Sequence, residues 1–199
     1  MTKTIDYYFS VNSVFAYLGS QELERIAKTH RVRVRVKPVN LKSIFAQTGG
    51  TPLSQRDPER QAYRFVEMRR WRDYRGMRLV MEPPYFPVAE EPAARIILAA
   101  NAIGRDPLKL AHAIMRAMWT GDRNIADTPT LLEIVQRSGE DALGIVAKSR
   151  SKAIEEGFAA NTEEALKIGC FGSPWYVHEG EPFFGQDRLD FLEKALQAS

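Results

Sequence analysis

The sequence predicts an α/β fold in which the two ends of the chain build one sheet and the middle is helical. Three observations carry this expectation. Residues 3–38 run through a strand pattern, a helix pattern and a second strand pattern. From about residue 56 to residue 167 the apolar positions recur at helical intervals. Residues 175–197 return to two short strands and a helix. Neither β-rich end is large enough to bury a core alone, so both are expected in the same sheet.

Each element follows from its residues. KTIDYYF (3–9) is aromatic and β-prone and reads as a strand. Phe15, Leu18, Leu23, Ile26 and Ala27 form one stripe, which predicts a helix over 14–29. In RVRVRVKPV (31–39), Val32, Val34 and Val36 alternate with Arg31, Arg33, Arg35 and Lys37. That period of two marks a strand with one face in water, and Pro38 limits its pairing inside a sheet. QTGGTP (47–52) reads as a loop. Ala62, Tyr63, Val66 and Trp71 predict a helix from about Arg56 to Arg75. EPPYFPV (82–88) is too rich in proline to be helical. Helical patterns then cover 93–103, 108–119, 130–137 and, with breaks, 142–167. Asp106-Pro107 and Asp127-Thr128-Pro129 are helix starts, with proline in the first turn. WYVHEGEPFF (175–184) places two aromatic runs around Glu179-Gly180, a hairpin signal. Leu189, Leu192 and Leu196 stripe the final helix. The expected organisation is a discontinuous unit of 1–50 plus 168–199 and a helical insertion of 51–167.

Composition narrows the function. The chain has 199 residues, 44% apolar and 27% charged, which fits a globular protein with one sizeable core. No apolar run is long enough to cross a bilayer, and MTKTIDYYF lacks the form of a signal peptide, so the expected location is cytoplasmic with no membrane partner. Cys170 is the sole cysteine, which leaves no disulfide and no Cys-x-x-Cys redox pair. His30, His112 and His178 lie too far apart to suggest a zinc site. Arginines crowd 56–78, but Asp57, Glu59, Glu67 and Asp73 interleave with them. That pattern describes a solvated helix face better than a nucleic-acid surface. One of these arginines remains available to a small anion.

Three stretches are candidates for chemistry. Asn12-Ser13 sits at a strand-to-helix turn. Such a turn favours an anion, including a thiolate, although Asn and Ser are also ordinary helix caps. Gly172-Ser173-Pro174 precedes the hairpin. A cis proline there would turn the backbone of Ser173 outward to hold a peptide ligand; an ordinary trans proline opening a strand is the plainer alternative. Gly185-Gln186-Asp187 opens the last helix, where Asp187 either meets an ammonium group or simply complements the helix dipole. Taken together, the three ask for a thiol, a peptide backbone, a carboxylate and an ammonium. Glutathione carries all four.

The same residues resemble a family. The order of elements, Phe171-Gly172-Ser173-Pro174 and Phe184-Gly185-Gln186-Asp187-Arg188-Leu189 are similar to the thioredoxin-like proteins of the DsbA group. More narrowly, they resemble 2-hydroxychromene-2-carboxylate isomerases and kappa-class glutathione transferases. Arg60, Tyr63, Glu67, Met68 and Trp71 resemble the family's Lys-x-x-Tyr-x-x-x-Asp-Leu-x-x-Trp. The resemblance implies a thioredoxin-like fold with a large all-helical insertion, glutathione as cofactor and a homodimer.

It also implies roles. Ser13 would hydrogen-bond the sulfur of glutathione and favour its thiolate. Ser173 and a cis Pro174 would hold the cysteinyl part, Gln186 and Asp187 the γ-glutamyl end, and Arg60 the glycyl carboxylate. Asn12, Asn40 and Tyr85 are the expected contacts of an aromatic carboxylate substrate. The chain departs from the family at Ser10, Val14, Ala16, Gly50, Val88 and Ala89, mostly on the substrate side. The leading expectation is a glutathione-dependent isomerase. A glutathione transferase acting on electrophiles and a non-catalytic binding protein are the alternatives. With Cys170 alone, dithiol redox chemistry is excluded.

Overall fold

A computed structural model describes residues 3–198. Strand β1 (Thr4–Phe9) is followed by helix α1 (Val14–Thr29) and strand β2 (Arg33–Pro38). Helices α2 (Leu41–Thr48), α3 (Pro58–Arg75), α4 (Glu91–Ala102), α5 (Pro107–Gly121), α6 (Thr128–Arg137), α7 (Ala142–Ser149) and α8 (Lys152–Lys167) come next. The chain ends in β3 (Trp175–His178), β4 (Glu181–Phe184) and α9 (Leu189–Ala198). The fold is thioredoxin-like with a helical insertion, as the sequence implies. No helix among the described residues is long and apolar enough to cross a membrane.

The four strands form one sheet in the order β2-β1-β3-β4. β1 lies parallel to β2 and antiparallel to β3, so the two ends of the chain meet at β1. Pro38 is the last residue of β2, paired with Phe9 at the end of an edge strand where its missing N–H costs nothing. The β3–β4 turn holds Glu179 and Gly180 at φ of 50° and 87°. Two left-handed residues are what a tight hairpin of this hand needs.

The alternation along β1 divides the core. Ile5, Tyr7 and Phe9 face the main apolar cluster, whereas Tyr8 faces a smaller one. Tyr7 stacks between Phe9 (4.5 Å) and Tyr176 (5.2 Å). The main cluster runs without interruption from these rings through Leu18 and Leu23 of α1 to Met68, Ile97 and Trp119 of the insertion. On the other face, Tyr8 and Trp175 pack with Ile44 of α2, Ala165 of α8 and Cys170.

One local reading of the sequence is corrected. α2 takes Gln47 and Thr48, which read as loop. It is short and buries only Ile44, so it shows no stripe; its signals are the caps, Asn40 at the start and the left-handed Gly49 at the end. The pattern over 142–167, read with breaks, is two helices parted at Arg150-Ser151.

α1 approaches the start of the last helix very closely. A Cβ built on Gly19 would stand 2.5 Å from Cβ of Gln186 and 3.2 Å from the Tyr176 hydroxyl. Gly19→Ala should therefore overpack this seam and lower the unfolding free energy by roughly 1–3 kcal/mol. Urea denaturation reads this directly; an unchanged midpoint would show that the Gln186 turn backs away freely.

Candidate active site

The site begins where β1 ends. Ser13 caps α1 with extended backbone (φ −77°, ψ 112°), and its Oγ accepts from the Ala16 N–H at 3.1 Å. The hydroxyl proton points elsewhere: Oγ donates to the carbonyl of Ser173 at 3.1 Å. The Ser173 hydroxyl in turn accepts from the Ser10 N–H at 2.9 Å. The Ser173–Pro174 peptide is cis. These hydrogen bonds bring the first turn and the proline loop together, with Ser13 against the residue before Pro174. The N–H groups of Val14 and Phe15, in the first turn of α1, have no hydrogen-bond partner among the described residues. A hydroxyl, a carbonyl and an open positive helix end thus share one spot.

Asn12 ties in the proline-rich loop. Its Oδ1 accepts from the Val88 N–H (3.1 Å) and its Nδ2 donates to the Val88 carbonyl (2.9 Å), like a rung of a β-ladder. This loop contains a second cis peptide, Phe86–Pro87. Behind it lies a residue that the sequence did not single out. The Glu90 carboxylate accepts from the Leu41 N–H at the start of α2 (2.9 Å), from the Ser10 hydroxyl and, at 3.4 Å, from Asn12 Nδ2. It has no cation partner among the described residues, and burial raises its pKa against these hydrogen bonds. Glu90 and Ser10 therefore join β1, α1, α2 and α4 at one point. In the sequence Glu90 looks like any acidic residue beside a helix start; its burial is a product of tertiary packing.

The other expected site residues are placed differently. Asn40 is a helix cap: its Oδ1 accepts from the Ser43 N–H (3.0 Å), and its own N–H donates to the Thr162 hydroxyl (3.0 Å). Gln186 is 2% exposed, packed at Gly19, with Oε1 accepting from Arg75 at 3.3 Å. Asp187 is exposed and pairs with Arg188 (3.2 Å). Arg60 is exposed and lies 3.7 Å from Asp57. Tyr85 is exposed. Among the described residues no hydrogen bond or ion pair joins Arg60, Tyr85 or Asp187 to the Ser13 turn.

Two further features bear on the chemistry. The Phe45 ring occupies the space that a side chain at Gly50 would need, so this position cannot carry one without moving that ring. Cys170 is buried, donates to the Gly172 carbonyl (3.3 Å) and has its thiol pushed up to about 11 by burial. It is a packing residue and holds no thiolate at neutral pH.

Glu90 gives a prediction with a definite sign. Its folded pKa is raised, so the folded state holds that proton more tightly than the unfolded chain does. The contribution of Glu90 to stability therefore declines as pH rises from about 4.3, the unfolded value, through the folded value. Glu90→Gln should lack this decline. Measured by thermal unfolding, the variant should gain on the wild type as pH rises above about 4.3, and match its pH dependence below that. A difference that does not vary with pH would contradict the assignment.

With the site described, its relatives can be named. The profile of the DSBA-like thioredoxin domain matches residues 4–197. A 2-hydroxychromene-2-carboxylate isomerase of Pseudomonas putida is 27% identical over 196 residues, covering 96% of this chain and 93% of the relative. Human glutathione S-transferase kappa 1 is 22% identical over 208 residues, covering 98% and 92%. The solved structure of a 2-hydroxychromene-2-carboxylate isomerase superposes with a TM-score of 0.81 at 24% identity, covering 98% of this chain and 95% of that one. The chain belongs to the DSBA-like thioredoxin domain family.

Proposed function

We propose that this protein is a glutathione-dependent isomerase acting on an aromatic carboxylate, of the 2-hydroxychromene-2-carboxylate isomerase type. The observation that carries the reading is the Ser13 hydroxyl at the N-terminus of α1, facing the Ser173 carbonyl beside cis Pro174. A redox enzyme of this fold needs a thiol at such a turn; this chain has a hydroxyl, and its one cysteine is buried elsewhere. The thiol must then arrive with a ligand. Bound glutathione supplies a thiolate able to add reversibly to a conjugated carbon.

The chain's own residues fit that ligand. A peptide N–H laid against the Ser173 carbonyl replaces the Ser13 donor, and the freed hydroxyl turns to the sulfur. A hydrogen bond to the charged form lowers the thiol pKa, and the positive end of α1 acts in the same direction. Ser13 does not act as a nucleophile, since no base contacts it. Asp187, exposed beside Gly185, is the anionic group for the γ-glutamyl ammonium. Gln186 is a positioning residue that fixes this turn against α1. Asn12 orders the loop that closes the substrate side.

The kappa-class relatives support a second reading, transfer of glutathione to an electrophile. The two differ in stoichiometry. The isomerase returns glutathione unchanged after many turnovers, whereas a transferase consumes one molecule for each product.

Ser13→Ala tests the central residue. Loss of the hydroxyl should raise the thiol pKa of bound glutathione towards its free value, seen as loss of the ultraviolet thiolate band on titration. Stability should fall by no more than a helix cap, ~1 kcal/mol. A thiolate band unchanged in the variant would show that Ser13 does not touch the sulfur.

A further inference from the structure

The arginines of α3 are not alike. Arg60 lies near Asp57, Arg70 pairs with Glu67, Arg72 with Asp73, and Arg75 with Glu22 of α1. Arg64 has no ion pair and no hydrogen bond among the described residues. It is also partly buried. Its guanidinium stands among three rings, 5.9 Å from Phe65, 5.5 Å from Phe86 and 6.0 Å from the fully buried Trp119. The charge that perturbs it is another cation, Arg56. Burial first and Arg56 second push its pKa down to about 10, which still leaves it charged at neutral pH.

A cation withdrawn from water needs a counter-charge. Ring faces recover part of that cost, but they bring no anion. The location supplies the rest of the argument. Phe86 precedes cis Pro87 and Val88, the residue that Asn12 clamps beside Ser13. The open guanidinium therefore stands on the loop that borders the site. A single planar cation framed by aromatic rings suits a monoanion carried on a flat apolar body.

We propose that Arg64 is the residue that takes the substrate's carboxylate, in a forked pair, with the substrate ring lying beside Phe86. This deepens the isomerase reading, since it assigns a specificity-determining residue to the substrate side of that same site. An arginine presents two parallel donors to a carboxylate, a match that lysine lacks. The sequence treats Arg64 as one more member of a solvated helix face; the missing acid partner and the three rings set it apart.

Titration of the glutathione-saturated protein with salicylate and with neutral salicylamide tests the assignment. The wild type should favour salicylate. Arg64→Met should lower salicylate affinity by about 10- to 100-fold and leave salicylamide unchanged. Arg64→Lys should restore only part of the preference. Glutathione affinity and melting temperature should hold in Arg64→Met, because the variant removes a charge that has no partner.

Three results would overturn the proposal. One is a wild type that does not discriminate the two probes. Another is a variant that melts lower yet keeps its salicylate affinity, which would make Arg64 a stacking brace. The last is a variant that loses glutathione instead, which would assign the carboxylate to glutathione. Should the wild type not bind glutathione at all, the isomerase reading falls. The same salicylate titration without glutathione then still decides Arg64.

Discussion

Everything in the site depends on the pair of hydrogen bonds that fasten Ser173 to the turn after β1. The Ser13 hydroxyl takes the carbonyl of Ser173, and the Ser10 N–H takes its hydroxyl. The partners are 160 and 163 residues apart in sequence. They meet because β1 is central in the sheet, with β2 from the first unit on one side and β3 from the end of the chain on the other. The helical insertion is threaded between those two halves, yet its loop returns to the same turn through Asn12 and Glu90. The first turn of α1 is thus fixed from the chain terminus and from the insertion at once. Such a turn keeps its hydroxyl and open N–H groups in place before any ligand arrives, which is what electrostatic preorganisation requires.

Much of this was legible in the sequence, for identifiable reasons. Val32, Val34 and Val36 between cationic residues leave no reading but an edge-like strand, and Glu179-Gly180 between aromatic runs reads as a tight hairpin. Ser13, Asn12, Ser173 and Pro174 carry punctuation that local backbone chemistry explains, and the fold brings all four together. What escaped the reading is whatever tertiary packing decides. Glu90 and Arg64 have the local look of surface charges; their burial comes from elements far away in sequence. Gln186, expected at the γ-glutamyl end, is buried and packed at Gly19, which its sequence context does not show. Asn40, expected on the substrate side, caps α2, a helix too short to announce itself.

The division of the site follows from the same packing. On the side proposed for glutathione the groups are backbone groups and a cap hydroxyl, which the fold itself holds. On the substrate side the chain differs from the families it resembles, and the differences are physical. Phe45 fills the place beside Gly50, and Val88 contributes only its backbone to Asn12.

The most direct measurement is a crystal structure with glutathione bound. The proposed function predicts the sulfur within hydrogen-bond reach of the Ser13 Oγ, the cysteinyl amide against the Ser173 carbonyl in place of the Ser13 hydroxyl, and the γ-glutamyl ammonium at Asp187. A glutathione bound with its sulfur away from Ser13, and with the Ser13 hydroxyl still donated to Ser173, would contradict it.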